Sequence, residues 1–307
     1  MPEGHVIHRL ASQLTETFGG QEVEVSSPQG RFATEAARLD GTVLRSAEAW
    51  GKHLFIDFSP AGSSGDPAET DRPAAGPTGV DDTAGAAGTA AGTHLPHPVV
   101  HIHLGLIGKF NVAPFAEPVG QVRLRIADAN ETVAADLHGP QWCRLLSVPE
   151  KEAEIAKQGA DPLRADADPS EALAKVSRSR RAIGALLMDQ KLFAGVGNIY
   201  RAETLFRLGV SPFTPGRDVP QKVLRAIWAD LVELMAVGVA RGRIDTVRPE
   251  HTPEAMHRAP RKDDHGGEVY VYRRAGQPCL VCGTPVEQKV MDGRNLFWCP
   301  SCQPGRR

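Results

Sequence analysis

The stretch DQKLFAGVGNIY, residues 189–200, places a glycine-rich turn directly in front of a helical pattern that begins at Asn198. The first N–H groups of a helix have no partner inside the helix, and the helix dipole adds positive potential there. Gly195 and Gly197 carry no Cβ and permit a close approach to the backbone. This arrangement is typical of a phosphate site, with Asn198 as helix cap or phosphate ligand, and it also occurs in plain helix–helix connections.

A helical region surrounds this turn, because apolar residues recur at helical spacing between turns that contain Gly or Pro. We expect four helices in it, over residues 170–175, 180–190, 198–208 and 220–237, and then an irregular stretch over 241–267. Between residues 173 and 248 there are 13 Lys and Arg residues against 6 Asp and Glu, whereas the whole chain has a net charge of −2. The local excess indicates a phosphate-binding surface or solvated helix faces.

The preceding part of the chain reads as one helix followed by short strands. Val6, Leu10, Leu14 and Phe18 repeat at near-helical spacing and predict an amphipathic helix over residues 3–18. Alternating runs bounded by turn residues predict seven strands, at 21–26, 42–49, 52–58, 99–104, 109–113, 121–127 and 132–136. The sequence therefore predicts a multidomain α+β protein with an antiparallel β-sandwich, flanked by helices, over residues 1–136.

Two further segments separate these regions. Residues 60–97 consist almost entirely of Ala, Gly, Thr, Pro, Ser and Asp. They cannot bury enough apolar surface to offset the entropy of ordering, so we expect a disordered insertion without a catalytic role. The insertion holds five acidic residues and one basic residue, which accounts for part of the acidic total. Residues 137–160 are predicted to form a linker or a short helix.

The last part of the chain, residues 268–307, carries a metal-binding pattern. Cys279, Cys282, Cys299 and Cys302 have the paired Cys-x2-Cys spacing of a structural zinc ribbon, which predicts one structural Zn²⁺ in a closed site. The residues between the two pairs can form a hairpin that turns at Asp292-Gly293. Arg294 lies beside this tip, where a basic residue is suited to a nucleic-acid groove, although a plain surface arginine has the same spacing.

The composition is that of an ordinary globular protein, with 41% hydrophobic and 23% charged residues. No apolar run approaches the roughly 18 residues that a membrane span needs. The start, Met-Pro-Glu-Gly-His, lacks the layout of a signal peptide. We therefore expect a cytoplasmic protein without a membrane partner, in a reducing compartment that leaves the paired cysteines free for metal.

The N-terminus offers a candidate nucleophile. If Met1 is removed, Pro2 exposes a secondary amine, and α-amino groups have a reference pKa near 8, below the roughly 10.4 of lysine. Such an amine can attack a sugar C1′ and form an iminium, with Glu3 next to it for proton transfer. Proline at the second position also simply accompanies methionine removal, so the pattern by itself leaves both interpretations open.

Four motifs occur together in one order: Pro2-Glu3-Gly4, then Gly51-Lys52 at the opening of a strand, then Gly195-Val196-Gly197-Asn198 before a helix, then the four-cysteine ribbon. This ordered set resembles the formamidopyrimidine-DNA glycosylase/endonuclease VIII family over nearly the whole chain, apart from residues 60–97. The resemblance implies that the β-sandwich faces a helix–two-turn–helix domain over residues 161–267. DNA would lie in the cleft between them, with the zinc hairpin docked on it.

The resemblance also implies roles for individual residues. Pro2 would be the Schiff-base nucleophile and Glu3 the general acid/base, while Lys52 would bind a phosphate beside the lesion. Asn198, in the helix–two-turn–helix motif, and Arg294, in the hairpin, would hold the phosphates of the lesion. A backbone held in this way presents the damaged nucleotide outside the base stack.

The same resemblance gives further candidates at the turn before Asn198 and in the segment HLGLIG, residues 103–108. Gly197 would lie at the DNA-binding turn. Leu106, with Ile107 beside it, would fill the gap that the extruded base leaves, as apolar wedges do in other DNA complexes. Both apolar side chains could equally belong to an ordinary core.

The implied function is a bifunctional DNA glycosylase/AP lyase of base excision repair that cleaves damaged double-stranded DNA by β,δ-elimination. We expect a monomer, located with the nucleoid in the cytoplasm of a bacterium. The segment 181–189 looks closer to the endonuclease VIII branch, since a lysine near Gly184 is missing, and this favours oxidised pyrimidines or abasic sites. His5, His101 and His103 fit a subgroup from high-GC bacteria.

Three alternatives are compatible with the same patterns. The first is a glycosylase of the same fold that is specialised for bulky alkylated bases. The second is a non-catalytic protein that binds damaged DNA. The third is a zinc-ribbon module of a transcription or translation assembly, which explains the cysteines and leaves the N-terminus and the glycine turn unexplained.

Overall fold

The computed structural model describes residues 2–61, 97–263 and 267–305. The insertion predicted for residues 60–97 therefore lies outside the described residues, apart from its two ends. Within the described ranges, no helix combines the length and the apolar composition that crossing a membrane requires.

The N-terminal region is built on an eight-stranded sheet in which all neighbouring strands are antiparallel. The strands are β1 (Gln21–Ser26), β2 (Thr42–Trp50), β3 (His53–Ser59), β4 (Val99–His103), β5 (Lys109–Pro114), β6 (Val122–Asp128), β7 (Val133–His138) and β8 (Trp142–Leu146). Their order in the sheet is β5-β7-β6-β1-β2-β3-β4-β8. The seven predicted strands are all present, and the predicted antiparallel β architecture is confirmed.

Helix α1 (Gly4–Phe18) packs on this sheet through its apolar face, and the short helix α2 (Ala33–Ala36) lies beside β1. Phe18 of α1 belongs to the same contiguous core as Leu54 of β3 and Leu137 of β7. Strands β3 and β7 lie in opposite halves of the sheet. The sheet and α1 therefore enclose a common apolar interior. Ile7 occupies a fully buried place in it, whereas Val6, which the spacing favoured, is only partly buried.

Residues 137–160, predicted to be a linker or a short helix, contain more structure than that. Strand β8 pairs with β4 and forms the edge of the sheet, and helix α3 (Val148–Ile155) follows it with a capping box from Ser147 and Glu150. The strand was missed because WCRLL does not alternate between apolar and polar residues. Its pairing depends on β4, which lies far earlier in the sequence.

The helical region contains α4 (Ser170–Val176), α5 (Ile183–Leu186), α6 (Asn198–Arg207) and α7 (Gln221–Arg241). Three of these agree with the predicted helices, but the predicted helix over 180–190 is reduced to the single turn of α5. The chain after α5 turns back and bonds to an earlier segment instead. Ala194 N–H donates to the Ala160 carbonyl at 2.9 Å, and Gly159 N–H donates to the Gln190 carbonyl at 2.8 Å.

The C-terminal strand pair consists of β9 (Glu287–Met291) and β10 (Arg294–Trp298). Asp292 and Gly293 form the predicted turn, and both have positive φ angles, 48° and 72°. Both strands lie between the two cysteine pairs, and residues 268–286 before them are mostly turns. These turns are anchored by the buried Glu203 carboxylate of α6, which accepts backbone N–H bonds from residues 270–272 at 2.7–2.9 Å.

The N-terminal and helical regions meet at Asp161, which is fully buried. Its Oδ2 accepts the N–H of Gly51 at 2.7 Å and lies 2.7 Å from Nε2 of His8. Its Oδ1 accepts the N–H of Leu163 at 2.9 Å. One carboxylate thus fixes the β2–β3 turn and α1 against the start of the helical region, and this turn carries Lys52.

Candidate active site

The N-terminus of α6 is occupied by the side chain of Glu3. Glu3 Oε1 accepts the N–H of Ile199 at 2.9 Å, and Oε2 accepts the N–H of Tyr200 at 3.5 Å. A negative charge at this position is stabilised by the helix dipole. Of the interpretations offered for this turn, a phosphate bound by free N–H groups does not apply to Ile199 and Tyr200, and Asn198 is not the cap. Gly197 is the N-cap residue by its backbone position. The side chain of Glu3, near the N-terminus of the chain, accepts the hydrogen bonds that the helix itself leaves unsatisfied.

The glycines of this turn allow three chain segments to approach one another closely. Gly4 N–H donates to the Gly195 carbonyl at 2.8 Å. A Cβ on Gly51 would lie 2.9 Å from the Gly195 nitrogen, and a Cβ on Gly197 would lie 2.3 Å from Cδ of Glu3. The close approach that the sequence predicted is present, and in this structure it is made to the protein's own N-terminal segment and β2–β3 turn.

Glu3 is fully buried, and this burial raises the pKa of its carboxyl above the ordinary 4.5. The positive charge of Lys52 and the two backbone N–H bonds act in the opposite direction and are outweighed. A buried carboxyl with a raised pKa is suited to holding and transferring a proton.

Lys52 lies in the β2–β3 turn, immediately before β3, and its Nζ donates to the Val196 carbonyl at 2.9 Å. Burial lowers the pKa of Lys52, the charge of Glu3 raises it, and the charge of Arg294 lowers it further. The charges of Glu3 and Arg294 both act on Lys52, so these three residues, which are distant in the sequence, lie near one another.

Pro2 lines a cleft of about 760 Å³ between α1, the β4–β5 loop and the residues that follow α7. The cleft wall combines apolar side chains with cations and amides, among them Ile199, Lys109, Asn111 and Arg243. Its size is in the range of small-molecule binding pockets.

Leu106 and Ile107 are at the mouth of this same cleft and do not belong to the core. Their exposed fractions are 58% and 81%, which is unusual for large apolar side chains. The loop is closed by a hydrogen bond from Gly108 N–H to the Leu104 carbonyl at 3.0 Å. The structure thus presents two apolar side chains to solvent beside Pro2.

Asn198 lies on the other side of α6, against the zinc hairpin. Its Nδ2 donates to the Asn295 carbonyl at 2.9 Å, and its Oδ1 accepts a hydrogen bond from Arg201. Asn198, Arg294 and Gly293 line a second, predominantly polar cleft of about 470 Å³, together with Arg273. Two arginines and an amide around a polar cleft are suited to an anionic ligand.

The four cysteine sulfurs form a metal-binding group, since their Sγ atoms all lie within 4.8 Å of one another. The Sγ atoms of Cys282 and Cys299 are 3.4 Å apart, and those of Cys279 and Cys302 are 3.9 Å apart. Four thiolate ligands with paired spacing fit one tetrahedral Zn²⁺. The site holds the base of the hairpin, so its role is structural.

Two features of this region were not predicted from the sequence. Arg201 is a fully buried arginine among the site residues, and helix periodicity gives no signal for it. A cluster of aromatic rings contains the stacked pairs His53–His101 and His103–Trp142, and an edge-on contact between His53 and His103 joins the two pairs. Burial is the main cause that lowers the pKa of His53 to about 4 and that of His101 to about 3, so these two rings stay neutral near pH 7.

Comparison with known proteins identifies the class to which this fold and site belong. Family models match three parts of the chain: "Formamidopyrimidine-DNA glycosylase N-terminal domain" over residues 1–141, "Formamidopyrimidine-DNA glycosylase H2TH domain" over 158–249, and "Zinc finger found in FPG and IleRS" over 276–305. These matches follow the order of the sheet, the helices and the cysteine hairpin.

Relatives and solved structures agree with these matches. Endonuclease 8 1 of Mycobacterium tuberculosis is 44% identical over 309 residues, which cover 99% of this chain and 100% of that protein. Formamidopyrimidine-DNA glycosylase of Geobacillus kaustophilus is 30% identical over 206 residues, 66% of this chain and 73% of that protein. The MutM (Fpg) structure from Thermus thermophilus has a TM-score of 0.68 at 25% identity and covers both chains completely.

A complex between Lactococcus lactis Fpg and abasic-site DNA has a TM-score of 0.70 at 17% identity and covers 99% of this chain and 100% of that one. At this identity the likeness concerns the fold alone. The chain belongs to the formamidopyrimidine-DNA glycosylase/endonuclease 8 family of DNA glycosylases. The resemblance drawn from the ordered motifs is confirmed, and so is the four-cysteine zinc finger.

Proposed function

We propose that the protein is a bifunctional DNA glycosylase/AP lyase of base excision repair that uses the Pro2 amine as its nucleophile. The observation that carries the proposal is the buried carboxyl of Glu3, with its raised pKa, directly after Pro2, and Pro2 lines the 760 Å³ cleft. A sugar whose C1′ lies against Pro2 is within reach of a group that can exchange protons with it.

The chemistry begins when Met1 has been removed and Pro2 presents a secondary amine. The amine attacks C1′, the glycosidic bond breaks, and its electron pair leaves with the base, to which the Glu3 carboxyl supplies a proton. The C1′–O4′ bond then breaks, O4′ takes the proton that the amine nitrogen loses, and an iminium forms between the Pro2 nitrogen and C1′. At a preformed abasic site, the C1′ aldehyde condenses with the same amine and releases water.

The iminium then acidifies the neighbouring C–H bonds. Loss of a C2′ proton expels the 3′ phosphate by β-elimination, and loss of a C4′ proton expels the 5′ phosphate by δ-elimination. Hydrolysis of the remaining iminium releases the sugar fragment and restores the Pro2 amine. The steps are substitutions, eliminations and a hydrolysis, so electrons balance without a redox partner.

The cations of the site support the placement of the DNA backbone in this proposal. Lys52 lies within electrostatic range of both Glu3 and Arg294, so a phosphate beside the lesion would find a lysine and an arginine near the reacting sugar. Asn198 and Gly197, at the start of α6, and Arg294, in the hairpin, would hold the next phosphates. Leu106 and Ile107 are exposed beside Pro2, where a side chain inserted into the duplex would keep the extruded base out of the stack.

For the substrate, we propose oxidised pyrimidines and abasic sites in double-stranded DNA. The support is the absence of a lysine at the start of α5, where the chain has Gly184, together with full-length identity of 44% to a protein named endonuclease 8 1. A panel of duplexes that carry an oxidised pyrimidine, an oxidised purine or a bulky alkylated base tests this choice. Preferred release of the alkylated base would favour the alternative substrate class.

We further propose that the protein acts on DNA as a monomer and is located with the nucleoid of a bacterial cell. The support is that one chain supplies all the proposed residues: Pro2 lines one cleft, Asn198 and Arg294 line the other, and the charges of Glu3 and Arg294 both act on Lys52. Light scattering of the protein with and without a short duplex tests this expectation, and a complex with two chains per duplex would contradict it.

Borohydride trapping tests the mechanism. The purified protein, shown by mass spectrometry to lack Met1, is incubated with an abasic-site duplex and sodium borohydride, which reduces an iminium to a stable amine. We expect a covalent adduct that maps to Pro2 and is lost in Pro2→Gly. Lys109→Met is the matched control, because it removes another amine from the same cleft and should leave trapping intact. DNA binding without any adduct would instead identify a non-catalytic damage-binding protein.

A further inference from the structure

A single arginine links the residues that the proposed function assigns to catalysis and to phosphate binding. Arg201 lies in the first turn of α6 and is completely buried. Its guanidinium donates to the side-chain oxygen of Asn198 and, at 3.3 Å, to the Gly184 carbonyl, and its Nε has no hydrogen-bond partner among the described residues. Its hydrogen-bond acceptors are therefore an amide and a carbonyl, both neutral.

Charged groups nevertheless surround it. Glu3 and Asp292 stabilise the positive charge of Arg201, and Arg294 opposes it. Burial has the largest effect on the pKa of the guanidinium and lowers it to about 10, so the group remains charged at neutral pH. A buried charge without a directly bonded counter-ion is costly to a fold. This cost suggests that the position of the arginine matters for more than packing.

The two partners of Asn198 determine how its amide is oriented. Arg201 has only N–H donors, and the Asn295 carbonyl is only an acceptor, so the Asn198 oxygen must face Arg201 and the NH2 group must face the hairpin. The amide NH2 has a second hydrogen that the Asn295 bond does not use. Asn198 lines the polar cleft beside Arg294, so this hydrogen is available to an anion in that cleft.

We infer that Arg201 is a positioning residue for DNA binding, which holds the Asn198 amide so that its NH2 group, and not its oxygen, is presented to a backbone phosphate. The inference rests on the proposed function, because it takes the polar cleft as a phosphate site. If the amide were reversed, its oxygen would repel the phosphate. Arg201 therefore acts through Asn198 and makes no contact with DNA itself.

A double-mutant cycle tests this coupling. The ligand is a duplex with a tetrahydrofuran abasic analogue, which cannot form a Schiff base, so the cycle measures binding alone. Failure of borohydride trapping would then refute the lyase mechanism without affecting this result. We expect Arg201→Met and Asn198→Ala each to weaken binding about tenfold, and the double variant to be hardly weaker than either single variant. Arg201→Lys, which retains a donor, should recover part of the loss.

The Asn198→Asp variant separates positioning from packing. It keeps an oxygen for Arg201, and the added charge compensates the buried guanidinium, which offsets the lost hydrogen bond to the Asn295 carbonyl, so the melting temperature should change little. It lacks the NH2 group and adds a negative charge, so binding should be weaker than in Asn198→Ala. Wild-type DNA affinity in Asn198→Asp would overturn the inference. It would also be overturned if the affinity of the Arg201→Met/Asn198→Ala double variant fell by the product of the two single losses.

Arg207→Met is the structural control. Arg207 lies at the other end of α6, is also largely buried, and forms an ion pair with Asp230 at 2.8 Å. Its removal should lower the melting temperature, and its effect on DNA affinity should simply add to that of Asn198→Ala. The same non-additivity for Arg207 as for Arg201 would show a general loss of helix structure and would overturn the specific role of Arg201.

Discussion

Glu3 and Gly197 occupy adjoining space, and the carboxyl of one fills the volume that a side chain on the other would need. A Cβ at residue 197 would lie 2.3 Å from Cδ and 2.6 Å from Oε1 of Glu3. The φ of Gly197 is −124°, so the requirement for glycine here comes from the contact and not from a left-handed backbone. Gly197 and the side-chain carboxyl of Glu3 therefore form one structural unit.

This contact predicts that Gly197→Ala inactivates the enzyme while the fold persists. The added methyl group would push the Glu3 carboxyl away from the N–H groups of Ile199 and Tyr200, and we expect the lyase rate to fall about 100-fold. Single-turnover cleavage of an abasic duplex gives the rate, and circular dichroism checks the fold. Gly305→Ala is the matched control, since a Cβ there would meet nothing within 4 Å. Full activity in Gly197→Ala would contradict the role assigned to Glu3.

The same contact explains why the sequence predicted the turn and left its occupant open. The glycines and the helix start are local features, and local patterns predicted α6 and most strands. The occupant is a residue 196 positions away along the chain, as the hydrogen bond from Ile199 to Glu3 shows. A helix N-terminus attracts any anion, and the sequence pattern alone does not distinguish a phosphate from a distant carboxylate.

Other errors have the same physical origin. Strand β8 is defined by its pairing with β4, and Arg201 is buried because Asn198 and Gly184 provide acceptors for it inside the protein. Neither fact leaves a periodic trace in the sequence. The zinc finger was predictable because its signal is the spacing of its own ligands, within one short segment.

The raised pKa of Glu3 predicts a pH-dependent effect of Glu3→Gln on stability. Above the ordinary carboxyl pKa of 4.5, the unfolded chain releases a proton that the folded protein still holds, so the wild type loses stability as the pH rises through this window. Glutamine has no such proton. The variant should therefore gain stability relative to the wild type as the pH rises above 4.5.

Thermal melting of both proteins at several pH values provides the measurement. The difference in melting temperature should grow in favour of Glu3→Gln as the pH rises. Glu16→Gln, on the outer part of α1, serves as the control and should show no such trend. A difference that shrinks with rising pH would mean that the pKa of Glu3 is lowered in the folded protein.

Loss of the metal should disable DNA binding and leave the N-terminal region folded. The four cysteines hold the base of the hairpin that carries Arg294 and Asn295, whereas the sheet has a separate core. Cys299→Ser or a strong chelator should remove one zinc ion per chain and weaken duplex binding at least tenfold. Elemental analysis and fluorescence anisotropy measure the two effects. Cys143→Ala should retain the zinc, and undiminished binding by metal-free protein would refute the prediction.

The exposed pair in the β4–β5 loop should contribute to base extrusion and hardly to stability. Leu106 and Ile107 are 58% and 81% exposed, so replacing each by alanine should change the free energy of unfolding by less than about 0.5 kcal/mol. If they fill the gap in the duplex, the double variant should excise a damaged base about tenfold more slowly. The loss at a preformed abasic site should be smaller, because no base has to leave the stack.

Rapid mixing with a duplex that carries 2-aminopurine beside the lesion separates extrusion from chemistry, since its fluorescence rises when stacking is lost. The rise should be slower or smaller for Leu106→Ala/Ile107→Ala. Val119→Ala is a suitable control because Val119 is also 81% exposed and lies outside the residues that line the Pro2 cleft. An equal loss of excision on base lesions and abasic sites, with unchanged fluorescence, would place these side chains in general DNA binding and not in filling the gap.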